Sequence, residues 1–188
     1  MKPVFIVILI FCIKAGYSQA DFDYNLKLDF YGMLKNHQIE LLREKDKNQI
    51  IARKVKNKKP FSKRDSLRLS ELISNSIKAQ REEIAVLIEK YKEYDSDTLE
   101  VKNDDSFLNI TDSFVDRWDV MSNALKSYPD KRIILDGYTV KISLINKDGD
   151  EKTVYATNPS AESHPDIYEL INAIEKSYKN ESKNPIIN

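Results

Sequence analysis

Tyr24-Asn25-Leu26-Lys27-Leu28-Asp29-Phe30 alternates apolar and polar residues without a break. Successive side chains of a strand point to opposite faces, so this stretch reads as a β-strand with one face buried. Such a strand needs neighbours for its ladder and an apolar layer over Leu26, Leu28 and Phe30, and the remaining chain has to supply both. Gly32 ends it. His37 to Arg43 and Gln49 to Val55, separated by Glu44-Lys45-Asp46-Lys47-Asn48, read as two further strands of a hairpin, which completes a three-stranded meander.

After Pro60, Ser62-Lys63-Arg64-Asp65 has the form of a capping box, in which the Ser hydroxyl and the acid three residues on satisfy free amides at a helix start. Leu69, Leu72, Ile73, Ile77, Ile84, Leu87, Ile88 and Tyr91 then keep an apolar stripe at helical spacing to about Tyr94, with the charged Lys78 to Glu83 marking a bend or exposed turn. Asp95 to Asn109 is polar and reads as a loop around a short strand at Thr98 to Val101. Asp112 is expected to cap a helix carrying Phe114, Trp118, Met121, Leu125 and Tyr128, with Pro129 stopping it.

Ile133 to Ile145 and Lys152 to Thr157 form a second hairpin, and Ser163-His164-Pro165-Asp166 repeats the capping pattern. The helix it opens buries Ile167, Leu170, Ile171, Ile174 and Tyr178, and the polar tail from Asn180 to Asn188 is expected to fray. The fold class is therefore α+β, with antiparallel hairpins and a meander packed against about three helices. Hairpin, Ser-x-x-Asp and a helix containing Glu71-Leu72-Ile73 or Glu169-Leu170-Ile171 occur twice, which raises an internal ββα duplication.

The chain opens with Lys2, an apolar run from Pro3 to Ile13, and the small residues Gly16, Ser18 and Ala20. That is the form of a secretory signal peptide over residues 1–20, with cleavage after Ser18 or Ala20 and one domain over 21–179. As a helix the apolar run reaches about 16 Å, short of a hydrocarbon core of roughly 30 Å, so no transmembrane span is expected. Cys12, the only cysteine, leaves with the signal, so disulfides, thiol catalysis and zinc-thiolate sites drop out of the mature chain. Export to a periplasm or to the outside is the expected localisation.

The whole chain holds 30 basic and 30 acidic residues, and loss of Lys2 and Lys14 leaves 28 against 30, a balance of −2. Net charge thus selects no partner, but the distribution is uneven. Arg53, Lys54, Lys56, Lys58, Lys59, Lys63 and Arg64 fall in a segment without an acid, whereas Glu93 to Asp119 is mainly acidic. The basic segment is the candidate contact for an anionic glycan, a lipid headgroup or an acidic protein face. Against this stands a structural reading, with lysines guarding the end of an edge strand and the acidic region lying opposite.

Asn146-Lys147-Asp148-Gly149-Asp150-Glu151 looks like the start of a calcium loop, with Asp148 and Asp150 at positions three and five. Glu151 stands where that loop needs Gly, and Thr157 stands where it needs a bidentate Glu. A two-residue Asp148-Gly149 hairpin turn accounts for the stretch without a metal, pairing Leu144 with Thr153, Ile142 with Tyr155 and Val140 with Thr157. His37 and His164 are the only histidines, and no G-x-S-x-G, H-E-x-x-H, Walker loop or dinucleotide fingerprint occurs. No catalytic residue, metal or cofactor is assigned. The expected role is binding without catalysis in the periplasm or at the cell envelope, one form being an inhibitor or immunity protein for a secreted toxin. A polyanion-binding module and a hydrolase lacking a recognisable motif are the alternatives, and the balanced charge argues against nucleic acid.

Overall fold

A computed structural model describes residues 23–32, 35–45, 47–74, 80–103, 105–127 and 137–187. Six strands, β1 (Tyr24–Gly32), β2 (His37–Arg43), β3 (Asn48–Lys58), β4 (Lys92–Val101), β5 (Tyr138–Asn146) and β6 (Glu151–Thr157), form one antiparallel sheet. Its order is β4-β3-β2-β1-β5-β6. Among the described residues five helices accompany it: α1 (Lys63–Ser74), α2 (Gln80–Glu89), α3 (Ser106–Asp116), α4 (Trp118–Ser127) and α5 (Pro165–Glu181). The fold is α+β, as the alternation and the helical stripes imply.

The even-numbered residues of β1 all face one way, and cross-strand partners share that face: Leu26 lies between Leu41 and Leu144, and Leu28 between Ile39 and Ile142. These side chains join Phe107, Leu108 and Phe114 of α3, Trp118 and Met121 of α4, and Leu170, Ile174 and Tyr178 of α5 in one buried cluster. The stripes read from the sequence thus supply the covering layer that β1 requires. No described residue of α1 or α2 belongs to that cluster. The two pack on each other as a helical hairpin inserted between β3 and β4, so the two hairpin-helix units occupy different settings, α5 over the core and α1 apart from it.

Ser62 opens α1, its Oγ accepting the amide of Asp65 at 3.1 Å, but the box is only half formed: the Ser62 amide donates to the Tyr91 hydroxyl (3.2 Å) and the Asp65 carboxylate is taken by Lys90 and Tyr91. The single helix expected down to Tyr94 is instead two, and β4 begins at Lys92. The strand expected at Thr98 to Val101 is the end of β4, whose start the polar Tyr94 to Asp97 conceals; its ladder with β3 carries Lys56 against Asp95 (3.3 Å) and Lys59 against Glu93 (3.0 Å). Consequently β3 is an interior strand, and the expectation that its lysines guard a sheet edge is corrected: the edges are β4 and β6.

The second hairpin forms with a register one residue from the expected one. Leu144 pairs with Lys152, Ile142 with Val154 and Val140 with Ala156. Asn146 and Asp150 close the loop, the Asn146 amide donating to the Asp150 carbonyl (3.1 Å) and the Gly149 amide to the Asn146 carbonyl (3.0 Å). The turn therefore has three residues, 147–149, with Gly149 in the left-handed region at φ 86°, where glycine carries no Cβ penalty. One residue of slip exchanges the faces of a strand, and the observed register buries Val154 and Ala156 while Tyr155 stays 62% exposed.

Three further expectations change. Asp112 does not cap a helix; Asp105 does, its side chain accepting from the Phe107 amide, and Asp112 lies buried within α3. Ser163 does not cap α5; the N-cap residue is His164, with Pro165 at the first position, and the Ser163 hydroxyl instead engages Ser160 (3.0 Å). The tail does not fray at Asn180, because α5 continues to Glu181, Ser182 donates to Asp97 of β4 (2.7 Å) and Ile187 is buried in the core. The signal-peptide reading, Tyr128, Pro129 and the start of the strand expected at Ile133 lie outside the described residues. No helix among the described residues is long and apolar enough to cross a membrane.

Candidate functional site

The odd-numbered residues of β1 face away from the helices, and with their neighbours they form a second, polar face of the sheet. In register across it, Lys27 lies between Glu40 and Ser143, and Asp29 between Gln38 and Lys141. Its outer strands are open to solvent, with Ser96, Thr98, Glu100 and Tyr155 exposed. The side chains are held in place by cross-strand bonds. Asn25 donates to Glu40 (2.6 Å), Arg53 pairs with the other oxygen of Glu40 (2.6 Å), and Thr139 bonds Thr157 (3.2 Å). Burial works against ionisation of Glu40, but the bonds from Asn25 and Arg53 outweigh it and hold the carboxyl below its ordinary value.

Near the middle of this face Asp29 is only 3% exposed. The chain leaving α2 overhangs that corner: the Tyr94 hydroxyl donates to Glu89 and accepts from Gln38 (3.4 Å), and the Lys92 ammonium stands 6.0 Å from the centre of the Tyr31 ring. The Lys27 ammonium is 3.4 Å from Asp29 Oδ1, yet among the described residues that oxygen receives no hydrogen bond. Burial therefore raises the Asp29 carboxyl, against the pull of Lys27 and Lys141, with Glu89 adding to the rise. Burial likewise pushes the Tyr31 hydroxyl up to about 12, helped by Asp29 and Glu89.

A carboxyl that is raised in the folded state binds its proton more tightly there than in the unfolded chain. Its cost is absent below the unfolded value of roughly 4 and appears as pH rises through the folded one. Asp29→Asn is thus expected to stabilise the protein by about 1 kcal/mol at pH 7, with the gain vanishing near pH 3. Urea unfolding at the two pH values measures this, and a variant less stable than the parent at pH 7 would contradict it.

The basic residues singled out in the sequence do not form one patch. Arg53 is on the polar face, tied to Glu40; Lys54 is on the opposite face of β3 and exposed; Lys56 and Lys59 meet Asp95 and Glu93. Lys63 and Arg64 stand exposed in the first turn of α1, and the Lys58 side chain lies outside the described residues. The acidic stretch that begins at Glu93 does lie opposite part of the segment.

His37 is not a free base. Its ring stacks on Phe30 with centroids 4.4 Å apart, and its Nε2 lies 3.6 Å from Glu175, which Lys35 also meets at 2.6 Å. Burial opposes ionisation of Glu175, but the bond from Lys35 and the closeness of the His37 ring prevail and keep its carboxyl below the ordinary value. That cluster fastens α5 to the sheet. His164 Nδ1 lies 2.9 Å from Ser163 Oγ, but the same hydroxyl accepts the Ser160 amide (3.2 Å), so the pair secures the loop before α5. In the calcium-like stretch from Asn146 to Glu151, Asn146 Oδ1 accepts the amides of Asp148 (3.0 Å) and Asp150 (2.8 Å), a turn-forming role. Among the described residues no three His, Cys, Asp or Glu gather as a metal-binding group.

Sequence reasoning marked Asp29 only as one polar residue in an alternating run. Its burial depends on Gln38, Lys141 and the overhang from α2, all distant in sequence, so no local signal identifies it. No family model, curated protein or solved structure matches the chain.

Proposed function

We propose that this is an exported, non-catalytic binding protein of the periplasm or cell envelope, an inhibitor or immunity protein that covers a secreted toxin with the polar face of its sheet. The observation that carries the reading is the pre-ordered lattice on that face, in which Asn25, Glu40 and Arg53 already hold one another in place. Side chains fixed before contact lose little entropy on binding, and a mixed-charge lattice rewards a complementary partner while rejecting others. Beyond the overhang the face is open to a partner at its outer strands, where Ser96, Thr98, Glu100 and Tyr155 are exposed. The leader-like residues 1–20 supply the export part of the proposal.

The test is affinity isolation of the natively produced protein beside two variants, Lys141→Glu/Tyr155→Asp on the polar face and Glu169→Lys on α5. The expected result is a co-purifying protein that arrests growth when expressed alone, is neutralised by co-expression, and is lost only with the polar-face variant. Capture unchanged by Lys141→Glu/Tyr155→Asp, or a captured protein without toxicity, overturns the reading.

A further inference from the structure

The hairpin of α1 and α2 has two unlike sides. On one, Phe61, Leu69, Ile88 and Tyr91 close over each other, the Phe61 and Tyr91 rings 4.5 Å apart. On the other lies an open groove of about 1100 Å³ with Leu67 and Leu87 in its lining. Leu67 is 60% exposed there, an apolar side chain that the fold itself does not cover.

The charges along this groove are divided. At the end nearer the strands, Lys63, Arg64 and Lys90 surround a single carboxylate, Asp65, which Lys90 meets at 2.8 Å. Farther out, two carboxylates, Glu71 and Glu83, share one guanidinium, that of Arg68, at 3.5 and 2.8 Å. Among the described residues one end is thus net positive, the other net negative, and the two leucines sit between them. On α1, Leu67 is four residues from both Lys63 and Glu71; on α2, Leu87 falls between Glu83 and Lys90.

We propose that this groove is where two copies of the chain pair, with their α1–α2 hairpins antiparallel about a twofold axis passing near Leu67 and Leu87. A twofold contact must be self-complementary, and a surface with a basic end, an apolar middle and an acidic end meets that condition when one copy is reversed on the other. Each basic end then faces the acidic end of its partner, and Leu67 and Leu87 of both copies leave water together as the start of a four-helix packing. A polyanion would favour one sign along the whole groove, which the Glu71 and Glu83 end does not offer.

The test is sedimentation equilibrium of the purified protein and its variants, with circular dichroism to show that each folds. The wild type is expected to dimerise, Leu67→Lys to weaken association at least about tenfold, and Lys63→Glu/Arg64→Glu and Glu71→Lys/Glu83→Lys each to be monomeric. The two charge variants mixed in equal amounts are complementary at both contacts and should associate again. If Glu71→Lys/Glu83→Lys fails to fold, the other two variants decide the matter. A wild type that stays monomeric, an association unchanged by Leu67→Lys, or two folded charge variants that do not associate when mixed overturns the proposal.

Discussion

Replacing Asp112 by Ala is expected to cost about 3 kcal/mol of folding stability, because it removes one side of a largely buried ion pair. Both Arg43 Nε (3.2 Å) and Nη2 (3.0 Å) donate to its carboxylate, and the Tyr24 hydroxyl donates to it at 2.7 Å. The same guanidinium reaches Asn48 (2.8 Å), so one aspartate on α3 ties the starts of β1 and β3 and the end of β2 to the helical layer. Burial raises the Tyr24 hydroxyl well above its ordinary value and keeps it a donor throughout the working pH range. Asp112→Asn retains an acceptor for Tyr24 and should lose less than the Ala variant. Urea unfolding measures both, and a loss below about 1 kcal/mol in Asp112→Ala would show that Arg43 finds equivalent partners.

Gly32→Ala is expected to cost a comparable amount, about 3 kcal/mol, for a steric reason. A Cβ there would stand 2.5 Å from the Gly137 carbonyl oxygen and 2.8 Å from the Tyr138 Cα, both backbone atoms that cannot swing aside. Gly32 is the register partner of Tyr138, so relief requires the end of the β1–β5 ladder to part. A chain of this size should lose roughly 6–12 °C in Tm, readable by thermal unfolding. A variant melting within about 2 °C of the parent would mean that this end of the ladder yields freely.

Where a residue pattern answers to one physical demand, the sequence is enough. The alternation of Tyr24 to Phe30, the Ser62 cap and the stripe from Ile167 to Tyr178 all appear in place. Where two demands compete, it is not. Lys152 to Thr157 offers β-forming residues on both faces, and the choice falls to Asn146, whose side chain accepts two amides and sets a three-residue loop. The first half of β4 reads as a loop because Asp95, Ser96 and Asp97 are polar, yet it is strand because β3 supplies the ladder and the lysines. Asp112 resembles a cap because it is an acid before an apolar stripe, whereas its actual partners, Arg43 and Tyr24, lie far away in sequence. Of the polar face, the alternation of β1 announces that it exists; which residues are locked together on it follows only from the register.

The sheet order has a kinetic side. Among the described residues β1 is the first strand and also sits inside the sheet, with β2 close by on one flank and β5, which follows α1 to α4 in the chain, on the other. Pairings β1–β2, β2–β3 and β5–β6 join strands that follow one another, whereas Tyr24 must find Asn146. Closing that long loop comes at an entropic disadvantage that local hairpins escape, so the seam through the middle of the molecule is the slow one to form. Until it forms, the flank of β1 that awaits β5 leaves its backbone amides and carbonyls unpaired beside the apolar face of Leu26, Leu28 and Phe30, the kind of edge that joins to other chains.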